Sequence, residues 1–224
     1  SSMRRTVFIT FGISPIEPFS QTSCFVLFSG APDGGMLCPV KKPKDIFVLD
    51  TETGGLDPLT HSILSVGIVN VDGTKQLEFY VKEDEIVTNA RSMKVNRIDL
   101  ELVDAQGLSP SEACERLDAF VEELGGPGAI MMVGHNIAFD IAFLRRLYHL
   151  AGRMIPDVFA HRTVDTHTLM WALVANGKLP DHIRGSDSAF AHFQVAPPPE
   201  LRHTALGDAV ATRELVLKLL ELVG

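Results

Sequence analysis

Three things are scarce in this 224-residue chain: cysteine, uninterrupted apolar sequence and positive charge. Only Cys24, Cys38 and Cys114 occur, with no C-x-x-C spacing. That excludes a disulfide framework, argues against a structural zinc site, and makes a reducing compartment, the cytoplasm, the expected location. No apolar run approaches the roughly 18 residues of a membrane span, so no membrane partner is expected. Acidic residues number 28 against 20 basic, a formal charge of −8. A protein that grips nucleic acid by charge alone displaces counterions with Lys and Arg and is usually basic. If this chain handles nucleic acid, the positive charge must come from elsewhere, such as bound metal. Internal repeats are absent, and the one low-complexity tract is Pro197-Pro198-Pro199. The 46% hydrophobic fraction excludes a disordered chain, and the length suits one good-sized domain.

Residues 1–44 differ from the rest of the chain. They carry five basic and two acidic residues, a net of +3 that leaves −11 for the remainder, and they are broken by five prolines. Val7–Phe11 and Cys24–Phe28 could form short strands. Arg4-Arg5 before apolar residues resembles the start of a signal peptide, but Pro15 and Pro18 interrupt the run. The expectation is an accessory N-terminal arm, poorly ordered, with Met36 as a sensible natural start, and a second, main domain over 45–224.

From Asp45 the pattern is regular. Ile46–Leu49 is a short apolar run ending at Asp50, as in a buried strand, followed by a turn at Gly54-Gly55 and Asp57-Pro58. Ile63–Val71 and Gln76–Val81 read as strands joined by a hairpin at Asp72-Gly73. Ser109-Pro110-Ser111-Glu112 is a capping box, and behind it Ala113, Leu117, Phe120, Val121 and Leu124 recur at helical spacing until Gly125-Gly126. Ala129–Val133 is a fourth strand. Helices are expected over about Ile137–Ala151, Val164–Ala175, Ser186–Phe193 and Ala205–Leu222, the last with Ala209, Val210, Leu217 and Leu220 near one face. A three-strand meander followed by alternating strands and helices predicts an α/β sandwich around a mixed sheet.

The chemistry-bearing residues fall in three places. Asp50 and Glu52 stand two apart at a strand's end, so both side chains leave one face, with Cα atoms about 6–7 Å apart. D-x-E alone is weak, since Asp99-Leu100-Glu101 repeats it in a polar, helical stretch. Asp50, however, follows four apolar residues, and an unpaired carboxylate in a buried strand is costly. Next comes Gly134-His135-Asn136-Ile137-Ala138-Phe139-Asp140, which puts Asp140 near a helix start, where the helix dipole favours a carboxylate. Last is His203-Thr204-Ala205-Leu206-Gly207-Asp208. Five residues on a helix turn about 500°, some 140° away from a shared face. If both serve one site, His203 must precede the helix on a loop that folds back.

Taken together these residues resemble the 3′–5′ exonucleases with four acidic residues and a histidine, the DEDDh group, to which the epsilon subunit of bacterial DNA polymerase III and ribonuclease T belong. The resemblance covers about residues 45–222. It rests on Asp50-Thr51-Glu52, Asn136–Asp140 and His203–Asp208 in order and spacing, with Val164-Asp165-Thr166 as a weaker fourth feature. It implies a ribonuclease H-like fold, a five-stranded mixed sheet flanked by helices. Two departures stand out: the N-terminal arm, and Ser65 where many relatives carry Glu.

The resemblance implies a site for two Mg²⁺ or Mn²⁺ ions about 3.5–4 Å apart, held by Asp50, Glu52, Asp140 and Asp208, with His203 as general base. An all-oxygen set without thiolates suits those ions better than zinc. Water would attack in line at 3′ ends of single-stranded DNA or RNA and release nucleoside 5′-monophosphates. Thr53 and Gly54 would clasp the terminal nucleotide by backbone, Leu56 would wedge against its base, and Phe139 would pack on it, with Asn136 beside them. The other histidines read as structural or surface, and Arg145, Arg146 and Arg153 as a solvated helix face. Two alternatives stand beside the exonuclease: a proofreading polymerase subunit, and a module that binds nucleic acid or a protein with its chemistry idle. The chain stops at Gly224 without an appended polymerase-binding tail, which favours a stand-alone enzyme. Some relatives form homodimers.

Overall fold

The computed structural model describes residues 46–122 and 128–223. The arm expected over 1–44 and the Gly125-Gly126 helix stop lie outside them. Twelve elements make an α/β fold around one five-stranded sheet. β1 (Ile46–Thr53), β2 (Ile63–Asn70) and β3 (Gln76–Tyr80) form the expected antiparallel meander, and Gly73 at φ 76 makes its second turn. β4 (Ile130–Gly134) joins β1 in parallel, and β5 (Phe159–Asp165) joins β4, for a strand order β3-β2-β1-β4-β5.

The described residues hold seven helices: α1 (Ala90–Asn96), α2 (Leu100–Gln106), α3 (Pro110–Glu122), α4 (Ile137–Leu150), α5 (Thr166–Ala175), α6 (Ser186–Phe193) and α7 (Ala205–Val223). The faces follow from strand alternation. Phe47 and Leu49 of β1 share a core with Leu117 and Val121 of α3 and with Phe143, Leu144 and Leu147 of α4. Val48, on the opposite face, meets Ala209 and Val216 of α7. α7 is gripped a second time by α5 and α6, through Met170, Leu173, Phe190, Leu215 and Leu219. The capping box forms as expected, with Ser109 N–H donating to Glu112 at 2.9 Å and Glu112 N–H donating to the Ser109 hydroxyl at 3.4 Å. α1 and α2 are seven residues each, too short for periodicity to show, and are set by caps at Asn89 and Asp99.

Two expectations need correction. The helix expected from Val164 begins at Thr166, because residues 159–165 are the edge strand β5 and Asp165 is the cap, accepting from His167 N–H at 2.9 Å. That strand gives no apolar signal because His161, Arg162 and Thr163 face solvent. On α7 the buried residues are Ala205, Gly207, Asp208, Ala209, Ala211, Thr212, Leu215, Val216 and Leu219, a stripe wider than one face that leaves out Leu217 and Leu220, which are 36% and 50% exposed. Two neighbours on different sides shift the buried stripe.

Candidate active site

β1 runs on through the acidic motif, so Asp50 and Glu52 project with Val48 toward α7. Asp50 stands opposite Gly67 of β2, and Glu52 opposite Ser65. Opposed residues of an antiparallel pair share a face, so the buried Ser65 adds no further charge beside Glu52. On the other edge β1 pairs with β4 only as far as Val48↔Val133. Where the two parallel strands part, Asp140 from the start of α4 enters: its Oδ1 accepts from Thr51 N–H at 2.9 Å and from the Thr51 hydroxyl at 2.8 Å. Asp140 is 4% exposed.

The third contribution depends on how closely α7 approaches β2. A Cβ on Gly67 would lie 2.2 Å from the Ala205 carbonyl carbon, so only glycine lets the helix start rest on that strand. Glu78 of β3 accepts from Leu206 N–H at 3.0 Å, capping α7 from across the sheet. Gly207 allows the preceding loop to fold against the helix, since its Cβ would meet Leu201 O at 2.1 Å. His203 sits on that loop in the left-handed region, φ 67, with Nδ1 3.8 Å from Asp208 Oδ2. The loop that folds back, expected from the 140° mismatch, is therefore present. Ligand atoms of Glu52, His203 and Asp208 lie within 4.8 Å of one another.

Electrostatics single out the same residues. Burial first, then Asp140, Glu52 and Asp208, hold the Asp50 carboxyl well above the ordinary range. Burial and Asp208 push Glu52 up to about 8. Asp140 is raised by burial to about 7 despite its Thr51 bonds, and Asp208 is raised by burial against the pull of Arg202. His203 is pushed down, by burial and by Arg202, so it is neutral near pH 7 and able to accept a proton. Clustered carboxylates that resist ionisation fit a divalent cation with oxygen ligands, which would favour their charged forms.

Arg202 is a site residue that sequence reasoning missed. Its guanidinium bonds Asp208 and reaches Asp187 of α6 at 2.5 Å. Asn96 is another: buried at the end of α1, it donates to Thr53 O at 3.0 Å. Neither belongs to a motif that spacing could flag. Beside Glu52 a pocket of about 370 Å³ is lined by Thr53, Leu56, Asn96 and Phe139, with Leu56 71% exposed at the rim. Gly54 lies beneath this pocket's turn, its N–H donating to Ser62 O at 2.8 Å and its carbonyl accepting from Asn89 at 2.7 Å. Asn136 caps α4 at φ 61, exposed, its amide donating to Asp165 at 2.9 Å and its side chain making no cap bond. Arg146 is held in the fold, paired to Glu83 at 2.6 Å and bonded to Pro58 O at 3.1 Å, while Arg153 pairs with Asp118.

A ribonuclease H-like sheet thus presents carboxylates and an imidazole together, a donor set that suits a divalent cation. The chain belongs to the RNase_T exonuclease family, whose pattern it matches over residues 47–216. It is 32% identical over 196 residues to a DNA polymerase III subunit epsilon-like protein of Rhodobacter capsulatus, covering 84% of this chain and 26% of that protein. It is 28% identical over 179 residues to the DNA polymerase III subunit epsilon of Escherichia coli, covering 76% of this chain and 69% of the relative. In structure it resembles the nuclease domain of 3′hExo, a DEDDh family member bound to rAMP, with a TM-score of 0.63, 16% identity, and 81% and 94% of the two chains covered. The chain thus spans about a quarter of the first relative's length.

Proposed function

We propose that this site removes nucleotides one at a time from the 3′ end of single-stranded DNA or RNA, releasing nucleoside 5′-monophosphates. The convergence of Glu52, Asp208 and His203 within 4.8 Å carries the reading, with Asp50 and Asp140 coupled to them through charge. Asp50, Glu52, Asp140 and Asp208 would hold two Mg²⁺ or Mn²⁺ ions, which supply Lewis-acid stabilisation of the phosphoryl transition state. His203 takes a proton from the attacking water at a ring nitrogen; the water oxygen bonds to phosphorus and the preceding nucleotide's 3′ oxygen leaves. A base near neutrality is well matched to that transfer. Thr53, Leu56 and Phe139 receive the terminal nucleotide, Leu56 acting as the rim wedge. Gly54 serves through shape, because a Cβ there would lie 2.3 Å from Val87 O, and the exposed Asn136 side chain is free to meet the strand. The setting is the cytoplasm.

A 3′-labelled oligonucleotide with Mg²⁺ or Mn²⁺ tests this. The parent protein should shorten it from the labelled end and Asp208→Ala should not. Label that survives equally with both proteins leaves an idle binding module. The likeness to two epsilon-type proteins favours a second reading, a proofreading subunit that partners a polymerase. Faster removal of a mispaired terminus from a primer on its template than from a free single strand separates that reading from a stand-alone enzyme.

A further inference from the structure

α5 carries Trp171, the chain's sole tryptophan, and leaves it 71% exposed. The opposite side of that helix is already buried, with Met170 and Leu173 in the core shared with α6 and α7, so exposure of the indole is not forced by a shortage of apolar partners. It stands over a pocket of about 360 Å³, floored by Met170, Val174 and Ile183 and rimmed by His167 and Arg184. Arg184 Nε donates to the Asp181 backbone oxygen at 2.9 Å, which holds the guanidinium near the rim. Asp181 also lines the pocket, and its negative charge opposes phosphate there.

This pocket shares no residue with the one beside Glu52, yet a ring contact and a longer-range electrostatic link lead from it toward the carboxylates. The His167 ring lies 5.5 Å from the His135 ring, tilted by 59°. His135 Nδ1 is 3.0 Å from the Thr166 hydroxyl at the start of α5. His135 in turn feels the charges of Arg202 and Asp187, the pair bonded together beside Asp208. An exposed aromatic face, an apolar floor with room for one ring system, and a cation at the rim form the combination on which single-stranded nucleic acids stack. A protein partner would want a broad apolar patch, whereas the rim here is charged.

We propose that the Trp171 pocket is a second nucleic-acid subsite, taking a base of the strand upstream of the scissile bond, stacked on the indole with its phosphate toward Arg184. The strand passes from the carboxylates along His135 and His167 to reach it. The inference rests on the exonuclease reading, because it assumes a strand whose 3′ end lies in the Leu56 and Phe139 pocket.

Because Trp171 is the sole tryptophan, emission excited selectively at the indole, clear of the two tyrosines, reports on this pocket alone. The full chain, with Ca²⁺ replacing Mg²⁺ to keep the strand intact, is titrated with a mononucleotide, a dinucleotide and longer dT and rU homopolymers. The longer strands should quench the emission and the mononucleotide should not; quenching by either polymer supports the subsite and shows which sugar it accepts. By anisotropy of a labelled strand, Trp171→Ala should weaken binding about 5- to 150-fold, the range expected for loss of one stacked base, and Trp171→Phe should restore most of it. A strand that is degraded from its 3′ end, leaves the emission unchanged and binds Trp171→Ala as tightly as the parent overturns the subsite alone. A strand that neither binds nor is degraded removes the exonuclease reading and the subsite with it. Emission that shifts with protein concentration in the absence of nucleic acid gives this face to a second copy of the chain and overturns the proposal.

Discussion

Asp50 sits half-buried and feels the charges of three other carboxylates, Asp140, Glu52 and Asp208. Two like charges 4 Å apart cost about 4 kcal/mol at an effective dielectric of 20, so without a cation the site keeps protons that the unfolded chain would release. Asp50, Glu52 and Asp140 all have raised values, the last two to about 8 and about 7. The native state therefore binds more protons than the unfolded one between the ordinary carboxylate range and about pH 8, and its stability falls as pH rises through that window. Thermal melts of metal-free protein from pH 5 to pH 8, points chosen inside that window, should show a declining Tm, and excess Mn²⁺ should flatten the decline. Asp50→Asn should raise the metal-free Tm near pH 8 by about 2–4 °C, what roughly 1 kcal/mol gives a domain of this size, while lowering activity. For His203, whose value burial pushes down, His203→Ala should cost about 10²- to 10⁴-fold in rate, the usual worth of a general base, with metal binding measured by calorimetry largely kept. The five acidic and imidazole residues were legible as candidates because, taken together in order and spacing, they resemble the DEDDh pattern. Arg202 and Asn96 were not, because an arginine or asparagine in a loop or at a helix end carries no signal until its partners are known.

At the scale of elements, the site is three docking events. β1 delivers two carboxylates by alternation alone. α4 delivers Asp140 because β1 and β4 separate after Val48 and leave Thr51 N–H for it. α7 delivers Asp208 and His203 because Gly67 lets its first turn rest on β2. Gly67→Ala should thus lower stability by about 1–3 kcal/mol, the usual cost of overpacking, and reduce activity further than the lost stability explains, since α7 must retreat from Asp50. Urea melts paired with rates at a temperature where the variant is fully folded would measure both; a variant with parental activity would show that the close approach is dispensable. Sequence placed β1 to β4, α3, α4 and α6 well: β1, β2 and β4 show as apolar runs buried on both faces, β3 as an alternating edge, and the helices by their caps and apolar spacing. It missed β5, a solvent-facing edge, and on α7, whose bounds it read, it missed the buried face, because that helix packs against two sets of partners at once.

For the whole molecule, the acidic surplus is compatible with the proposed phosphate-cleaving site if the positive charge that meets the phosphate comes from bound cations. No helix among the described residues is long and apolar enough to cross a membrane. The family match spans 47–216, so the N-terminal arm is proposed to be an accessory. A chain beginning at Met36 should keep the Tm and the exonuclease rate of the full chain; loss of either would make the arm part of the working domain.

Sequence by itself determined the inventory: which chemistry is available, on which strand or helix it rides, and that His203, if it is to serve one site with Asp208, has to lie on a turned-back loop. These are local matters, fixed by periodicities of 2 and 3.6 residues. Only the tertiary structure decided that residues as far apart as Glu52 and Asp208 come within 4.8 Å of one another, that Arg202 bonds Asp208 there, and that a lone indole faces outward on α5. Distances between segments depend on how sheet and helices pack, and packing is a property of surfaces that no single stretch of chain contains.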